Sequence, residues 1–350
     1  MLRLFVLLSL ALGPGSLPGY ADDACSSLAI ETRADVTVSD GSFYRTETYF
    51  RSAHHAAFVQ RSDDGETVIA VEGPLSWVRA DGSETEGVAF HKLFALGHQF
   101  HAFLLHFETM TEDIDTAGQV VFLGEIRDAI SGDYPYGGRV HLVRGAEPDR
   151  PSGFVFEFPD IPAISVQFDD WRDHAGTAVP FVLVIDDGTR QFTYRYTDVS
   201  MVETEPLWFM QAVGKVDLDS VNVYRLHRRL LAAHCLSDAD ALAELSAPEV
   251  LSANRGALSQ IDQATTQARF SHVFDAVDYT EYHDLKDPVI RVSEAGDLAW
   301  IGVEVLARGL SIQDQEPFEM QWSWIMIAEK IGDDWKHAGN ASSMLTEVPE

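Results

Sequence analysis

The stretch Val223–Gly256, VYRLHRRLLAAHCLSDADALAELSAPEVLSANRG, narrows the folds open to this chain more than any other. Val223, Leu226, Leu230 and Leu231 recur at helical spacing, and His234 continues their face. Arg225, Arg228 and Arg229 fall on the other side, as a half-buried helix requires. Ser237 is placed to cap a second helix, with Asp240 reaching back as in a capping box. Leu242 and Leu245 turn that helix inward, and Pro248 forbids its continuation. Residues 250–254 then read as a short strand that Gly256 stops.

A third helix is expected over 261–277, followed by strands at 279–284, 289–293, 298–310, 317–331 and 335–345. This order, the turn Ser293-Glu294-Ala295-Gly296-Asp297 before Leu298-Ala299-Trp300, and the ending Glu329-Lys330-Ile331-Gly332-Asp333-Asp334-Trp335 resemble the SnoaL-like branch of the nuclear transport factor 2-like superfamily. The resemblance covers roughly the last third of the chain and rests on element order and turns. It implies an α+β cone with a curved antiparallel sheet over residues 222–350. That superfamily holds both enzymes and plain binding modules, so the resemblance implies no single activity.

The 350 residues, 46% of them hydrophobic, suffice for about two domains with real cores. With 55 acidic against 25 basic residues the net charge is -30, which repels nucleic acid and anionic membrane surfaces. Arg3, the apolar run 4–12, and the small residues Gly19 and Ala21 read as a signal peptide over 1–21. That run is too short to span a bilayer and no other stretch could. The expectation is an exported protein, periplasmic or secreted, without a stable membrane anchor. Both cysteines, Cys25 and Cys235, survive cleavage. Two readings stay open: a disulfide, which an oxidising compartment permits, or a free thiol at Cys25 with Cys235 as a buried apolar residue.

Residues 25–40 read as a polar lead-in, and 42 onward as strand for about 160 residues. Residues 43–50 are rich in aromatics and β-branched side chains. Phe154, Phe156 and Phe158 alternate, as do Ile164, Val166 and Phe168, and Asp186-Asp187-Gly188 marks a hairpin between 181–185 and 192–196. One helical segment, 87–110, interrupts them; Phe90, Phe94, Phe100, Phe103, Leu104 and Phe107 make it apolar on more than one side. A sheet curled around such a helix, with Trp171-Arg172-Asp173-His174-Ala175-Gly176 before Val179-Pro180-Phe181, resembles the LolA-like lipoprotein-sorting half-barrel. That resemblance spans 22–204 and implies a cavity for acyl chains. Residues 205–221 contain Pro206-Leu207-Trp208-Phe209-Met210, too apolar for a free tether, and are expected to dock.

His98 and His101 could share one helix face, but no carboxylate stands at a fourth-ligand spacing and His-Glu-x-x-His is absent. Histidines in an aromatic helix more often bond to backbone, so no metal and no cofactor are expected. No nucleophile elbow and no phosphate loop occur. Ketosteroid isomerases, which the cone resembles, need a carboxylate base and two acid donors holding an oxyanion. Counted from Ser237-Asp238 and from Gly332, those places carry Leu230, Asn254 and Met326, none of them acidic. Gly339 and Ala341 stand where relatives carry histidine.

Phe318, Met320, Trp322, Trp324 and Met326 alternate on one strand face. They line a pocket, or else pack on the helices or build a homodimer through the C-terminal sheet. Polar groups for the mouth are His234, Asn254, His272, Asp275, Tyr279 and Glu304; His272 and Asp275 are an acid–base pair in one reading and a surface pair in the other. The expected function is binding of a small apolar or amphipathic molecule without catalysis. The alternatives are a dehydratase, isomerase or cyclase using His272 or Asp275, and a scaffold with filled cavities.

Overall fold

The computed structural model describes residues 24–25, 28–134, 137–159, 161–174, 176–254 and 256–344; the leader features over 1–21 lie outside them. The described residues form two compact units. One holds Leu28–Val71 and Ser76–Glu203; the other holds residues 24–25, Glu72–Leu75 and the chain from Thr204. Both units are α+β with mostly antiparallel sheets, and neither sheet closes into a barrel.

The first unit carries β1 (Leu28–Val38), β2 (Phe43–Ser52), β3 (His55–Ser62), β4 (Gly65–Glu72), β5 (Leu75–Ala80) and β6 (Ser83–Glu86), except that the facing ends of β4 and β5, Glu72 and Leu75, group with the second unit. Three helices follow: α1 (Ala89–Gly97), α2 (Phe100–Leu105) and α3 (Phe107–Met110). The chain then adds β7 (Glu112–Phe122), β8 (Glu125–Asp133), β9 (Arg139–Val143), β10 (Gly153–Glu157), β11 (Ile164–His174), β12 (Thr177–Asp186) and β13 (Gln191–Glu203). These strands form one sheet in the order β6-β5-β4-β3-β2-β1-β13-β12-β11-β10-β9-β8-β7. Its edges, β6 and the exposed half of β7, carry Glu84, Glu86, Glu112, Asp113 and Asp115, charges that discourage pairing with another chain.

Two expectations need correction here. Residues 28–38 are no lead-in but the strand that joins the two halves of the sheet, paired to both β2 and β13. Thr32, Ala34, Val36 and Val38 are buried and small, and the outward Glu31, Arg33, Asp35 and Thr37 between them make the stretch look polar. Thr32 and Thr48, opposite each other, share a hydroxyl hydrogen bond of 2.7 Å. The segment 87–110 is three short helices, because the chain leaves helical geometry at His98-Gln99 and at His106. Buried Gln99 holds the first break by donating from Nε2 to the carbonyls of Ala57 and Ala95 at 3.0 Å each. Phe103, behind that break, meets the rings of Tyr134, Phe154 and Phe156 with centroids 5.6, 5.8 and 6.0 Å away.

The second unit contains α4 (Trp208–Val213), α5 (Asp219–Cys235), α6 (Ala239–Leu245), β14 (Ser246–Asn254), β15 (Ala257–Asp262), α7 (Gln263–Phe274), β16 (Val277–Asp284), β17 (Val289–Val292), β18 (Leu298–Ser311), β19 (Pro317–Ile331) and β20 (Asp334–Met344). The sheet runs β15-β14-β20-β19-β18-β16, with β17 also on β18; only β14 and β20 run parallel. Residues 205–221 fall within this unit: α4 buries Phe209 and Val213, and Val216 is buried after them.

Three local readings change. The cap of α6 is Asp238, whose carboxylate accepts from the Ala241 amide at 2.9 Å, because Ser237 takes a left-handed φ of 52° at the end of α5. The third helix starts at Gln263, capped by Asp262 accepting from Thr265 at 2.8 Å, because β15 uses the preceding residues. Arg225 and Arg228 are buried; only Arg229 of the three faces solvent. Arg225 lies against Glu72, which is fully buried in the same unit, and adds a bond to the Gly214 carbonyl at 2.7 Å. Cys25 and Cys235 are bridged, with Cα atoms 5.2 Å apart, and the Ala24 amide donates to the Tyr282 carbonyl at 2.9 Å.

Candidate functional site

The second unit encloses a cavity of about 160 Å³ between α5, α6, α7 and the inner sheet face. α5 presents Leu230, Leu231 and His234, one turn apart on one face. α7 presents Thr266, Arg269 and Phe270 at the same helical spacing. Val250, Ser252 and Asn254 alternate inward from β14, and Trp324 and Met326 from β19. No Asp or Glu is among the described lining residues.

His337 and Asn340 also line the cavity although they are three residues apart on β20, where period-2 alternation would send them to opposite faces. A bulge explains it: Ala328 pairs with His337 and Ile327 with Gly339, so Ala338 is left over and the faces shift by one. That shift moves the face on which Gly339 and Ala341 were counted. Ser252 pairs with Asn340 across the parallel ladder, so the two short polar side chains share one patch of wall.

The electrostatics follow from burial. His234 donates from Nδ1 to the Leu230 carbonyl one turn back at 2.7 Å, which leaves Nε2 as the acceptor of a neutral ring. Phe270, Phe274, Tyr279 and Tyr282 surround that ring with centroids 5.0 to 5.9 Å away. Desolvation pushes the His234 pKa down to about 4, against a weaker upward pull from the carbonyl. His337 is pushed down to about 4 by the same cause, with Gly339 backbone pulling back. Both imidazoles are therefore neutral near pH 7. Thr266 is 4% exposed and its Oγ1 has no hydrogen-bond partner among the described residues. Behind Trp324, fully buried His227 bonds through Nε2 to both Asp284 oxygens at 2.8 and 3.1 Å.

Of the residues expected to bind ligand, Leu230, His234, Asn254, Trp324 and Met326 are together in this lining. The three positions counted against the isomerases, Leu230, Asn254 and Met326, are thus all at one cavity. Trp322 is outside it, stacked on Tyr282 with centroids 6.2 Å apart. Tyr279 packs edge-on to Phe318, and Glu304, on the other face of β18, pairs with Lys286 at 2.8 Å. His272 and Asp275 stand exposed at the end of α7, away from the lining. Thr266, Arg269, Ser252, His337 and Asn340 escaped the sequence reading. The 266-269-270 spacing was there to find; the bulge hid the other strand pair.

The first unit has a smaller cavity of about 80 Å³, walled by Phe58, Phe94, Phe156, Phe192 and Tyr194. His98, on its wall, donates from Nδ1 to the Phe94 carbonyl at 2.8 Å. His101 donates from Nε2 to the Pro180 carbonyl, also at 2.8 Å. Burial lowers both pKa values to about 4. Each imidazole thus serves backbone, and no group of three or more metal-ligating side chains occurs among the described residues.

No family model matches the chain, and no curated protein does. Solved structures similar to parts of the chain include the following three. A LolA superfamily protein from Nitrosomonas europaea is 11% identical, covering 50% of this chain and 86% of its own, with a TM-score of 0.36. A ketosteroid isomerase-like protein from Erwinia carotovora is 12% identical over 38% of this chain and 100% of its own, TM-score 0.31. An NTF2-like protein of unknown function in nutrient uptake from Rhodospirillum rubrum is 21% identical over 35% and 98%, TM-score 0.30.

Proposed function

We propose that the C-terminal cavity binds a small amphipathic molecule and does not turn it over. The observation that carries this reading is the lining itself. The apolar side chains Leu230, Phe270, Trp324 and Met326 are interspersed with the neutral hydrogen-bonding groups of His234, Asn254, Asn340 and Thr266. A cavity of about 150 Å³ accommodates benzene in other proteins, so about 160 Å³ suits one six-membered ring with short substituents. Against catalysis stand the missing lining carboxylate and two imidazoles whose pKa of about 4 makes them weak bases near neutrality.

Export belongs to the same proposal: the leader features over 1–21 precede a chain whose two cysteines are joined. So does pairing of two copies through the C-terminal sheet. Trp300, Ile327 and Leu251, 42%, 38% and 47% exposed, lie in one row across β18, β19 and β14, through Gly339 of β20. A Trp300→Glu variant that sediments as the wild type does would remove the dimer.

Titration with benzyl alcohol tests the binding reading. Tryptophan emission should change saturably, and Asn254→Phe, which fills the mouth, should abolish the change while the melting profile is kept. No spectral response, together with no small molecule copurifying by native mass spectrometry, would leave the scaffold reading in its place. Turnover of a ketone or hydroxy-acid substrate, lost in His234→Gln, would establish an enzyme.

A further inference from the structure

We infer that the C-terminal cavity is selective for a small organic monoanion, an aromatic or branched aliphatic carboxylate of about one ring's size, whose carboxylate docks on Arg269. The inference rests on the reading above that this cavity is a ligand site. The chain carries 55 acidic residues, yet none lines the cavity among the described residues, and the single cationic side chain that does is Arg269. Arg269 lines the cavity from α7, is exposed, and has no ion-pair partner among the described residues, so its charge is open to a ligand. Elsewhere on this surface arginines are commonly paired, as Arg61, Arg139 and Arg308 are.

Thr266 supplies an independent pointer. It stands one turn before Arg269 on the same helix face, 4% exposed, with an Oγ1 that nothing described satisfies. A buried hydroxyl lining a cavity without a partner is a group awaiting an acceptor. A carboxylate on the Arg269 fork takes two parallel N–H bonds, and an oxygen of the same group can take the threonine proton. The rest of the ligand then meets Phe270 and Trp324. A neutral hydroxyl can accept one hydrogen bond from the guanidinium but lacks the charge and the two-oxygen fork that a carboxylate offers. The net charge of -30 repels anions at long range, but salt screens that field within about 10 Å, which leaves the local cation to decide.

The experiment compares benzoate with benzyl alcohol on the full-length protein at pH 7, by calorimetry, for wild type and Arg269→Gln. Benzoate should bind at least tenfold tighter than benzyl alcohol. Arg269→Gln should weaken benzoate tenfold or more and move benzyl alcohol less than twofold. Equal affinities that the substitution leaves unchanged would overturn the anion inference while the cavity stands as a ligand site. Failure of both compounds with every variant would take the ligand-site reading down as well. Because Arg269 is exposed, its replacement should not alter the thermal melt, which serves as the folding control.

Discussion

Arg225 grips Glu72 with two charge-assisted hydrogen bonds, Nε to Oε2 at 2.8 Å and Nη2 to Oε1 at 2.6 Å, and the carboxylate is wholly out of water. A buried pair of this kind adds little over a hydrophobic pair, but breaking it takes two charge-assisted hydrogen bonds from a buried carboxylate. Arg225→Met should therefore destabilise the protein by about 3–5 kcal/mol. Adding Glu72→Leu should restore most of the loss. Urea unfolding of the two variants checks this, and a harmless single substitution would contradict it.

Acid should weaken the protein before its carboxylates titrate. His98, His101, His234 and His337 are each held near a pKa of about 4 by burial, below the unfolded value of about 6.5. Between those values the unfolded chain binds protons that the folded chain refuses, so stability rises with pH. The contribution is complete above about pH 6.5 and is lost as pH falls towards 4. For the more buried His98 and His101 the loss is about 3 kcal/mol each. Urea midpoints should drop from pH 7 to pH 4.5, less steeply in His101→Gln. A flat profile would show that these rings protonate in place.

The disulfide closes a loop of 210 residues. Chain-entropy reasoning makes such closure worth about 2–5 kcal/mol. Cys235→Ser, or mild reduction, should lower the melting temperature, and denatured, unreduced protein should show no thiol. Two reactive thiols in that assay would refute the bridge.

The two tryptophans of β19 should separate binding from stability. Trp324 lines the cavity, so Trp324→Ala should weaken benzyl alcohol or benzoate binding by about 1–3 kcal/mol. Trp322 is half-buried, stacked on Tyr282 against the core, so Trp322→Ala should lower stability and leave affinity near wild type. Titration and melting of both variants settle the assignment; reversed effects would mean that Trp322 faces the ligand.

Much of the second unit was readable because period and turn chemistry agree there. The strand expected over 317–331 is β19 to the residue, and the count that placed Leu230, Asn254 and Met326 lands all three on one cavity. The misses have physical causes. A single extra residue at Ala338 flips the face of β20 and brings His337 and Asn340 inward, which no alternation rule anticipates. Arg225 reads as a solvent-face residue until its partner, distant in sequence, is known. The small inward side chains of β1 imitate a loop, and the breaks in the helical segment depend on Gln99 reaching two carbonyls, one of them in β3.

The first and last strands of the N-terminal unit lie side by side: Leu28 and Glu203 are opposite one another in the ladder between β1 and β13. A segment that begins and ends at neighbouring points can be cut out of the gene and replaced by a linker of a few residues, without stretching what remains. The cavity-bearing unit, less its Glu72–Leu75 stretch, could then be produced alone, still tied by Cys25 and Cys235. The excision would carry Glu72 away with the segment, so Arg225 would lose its carboxylate and keep only the Gly214 carbonyl, and the trimmed protein should be made with Arg225→Met from the outset.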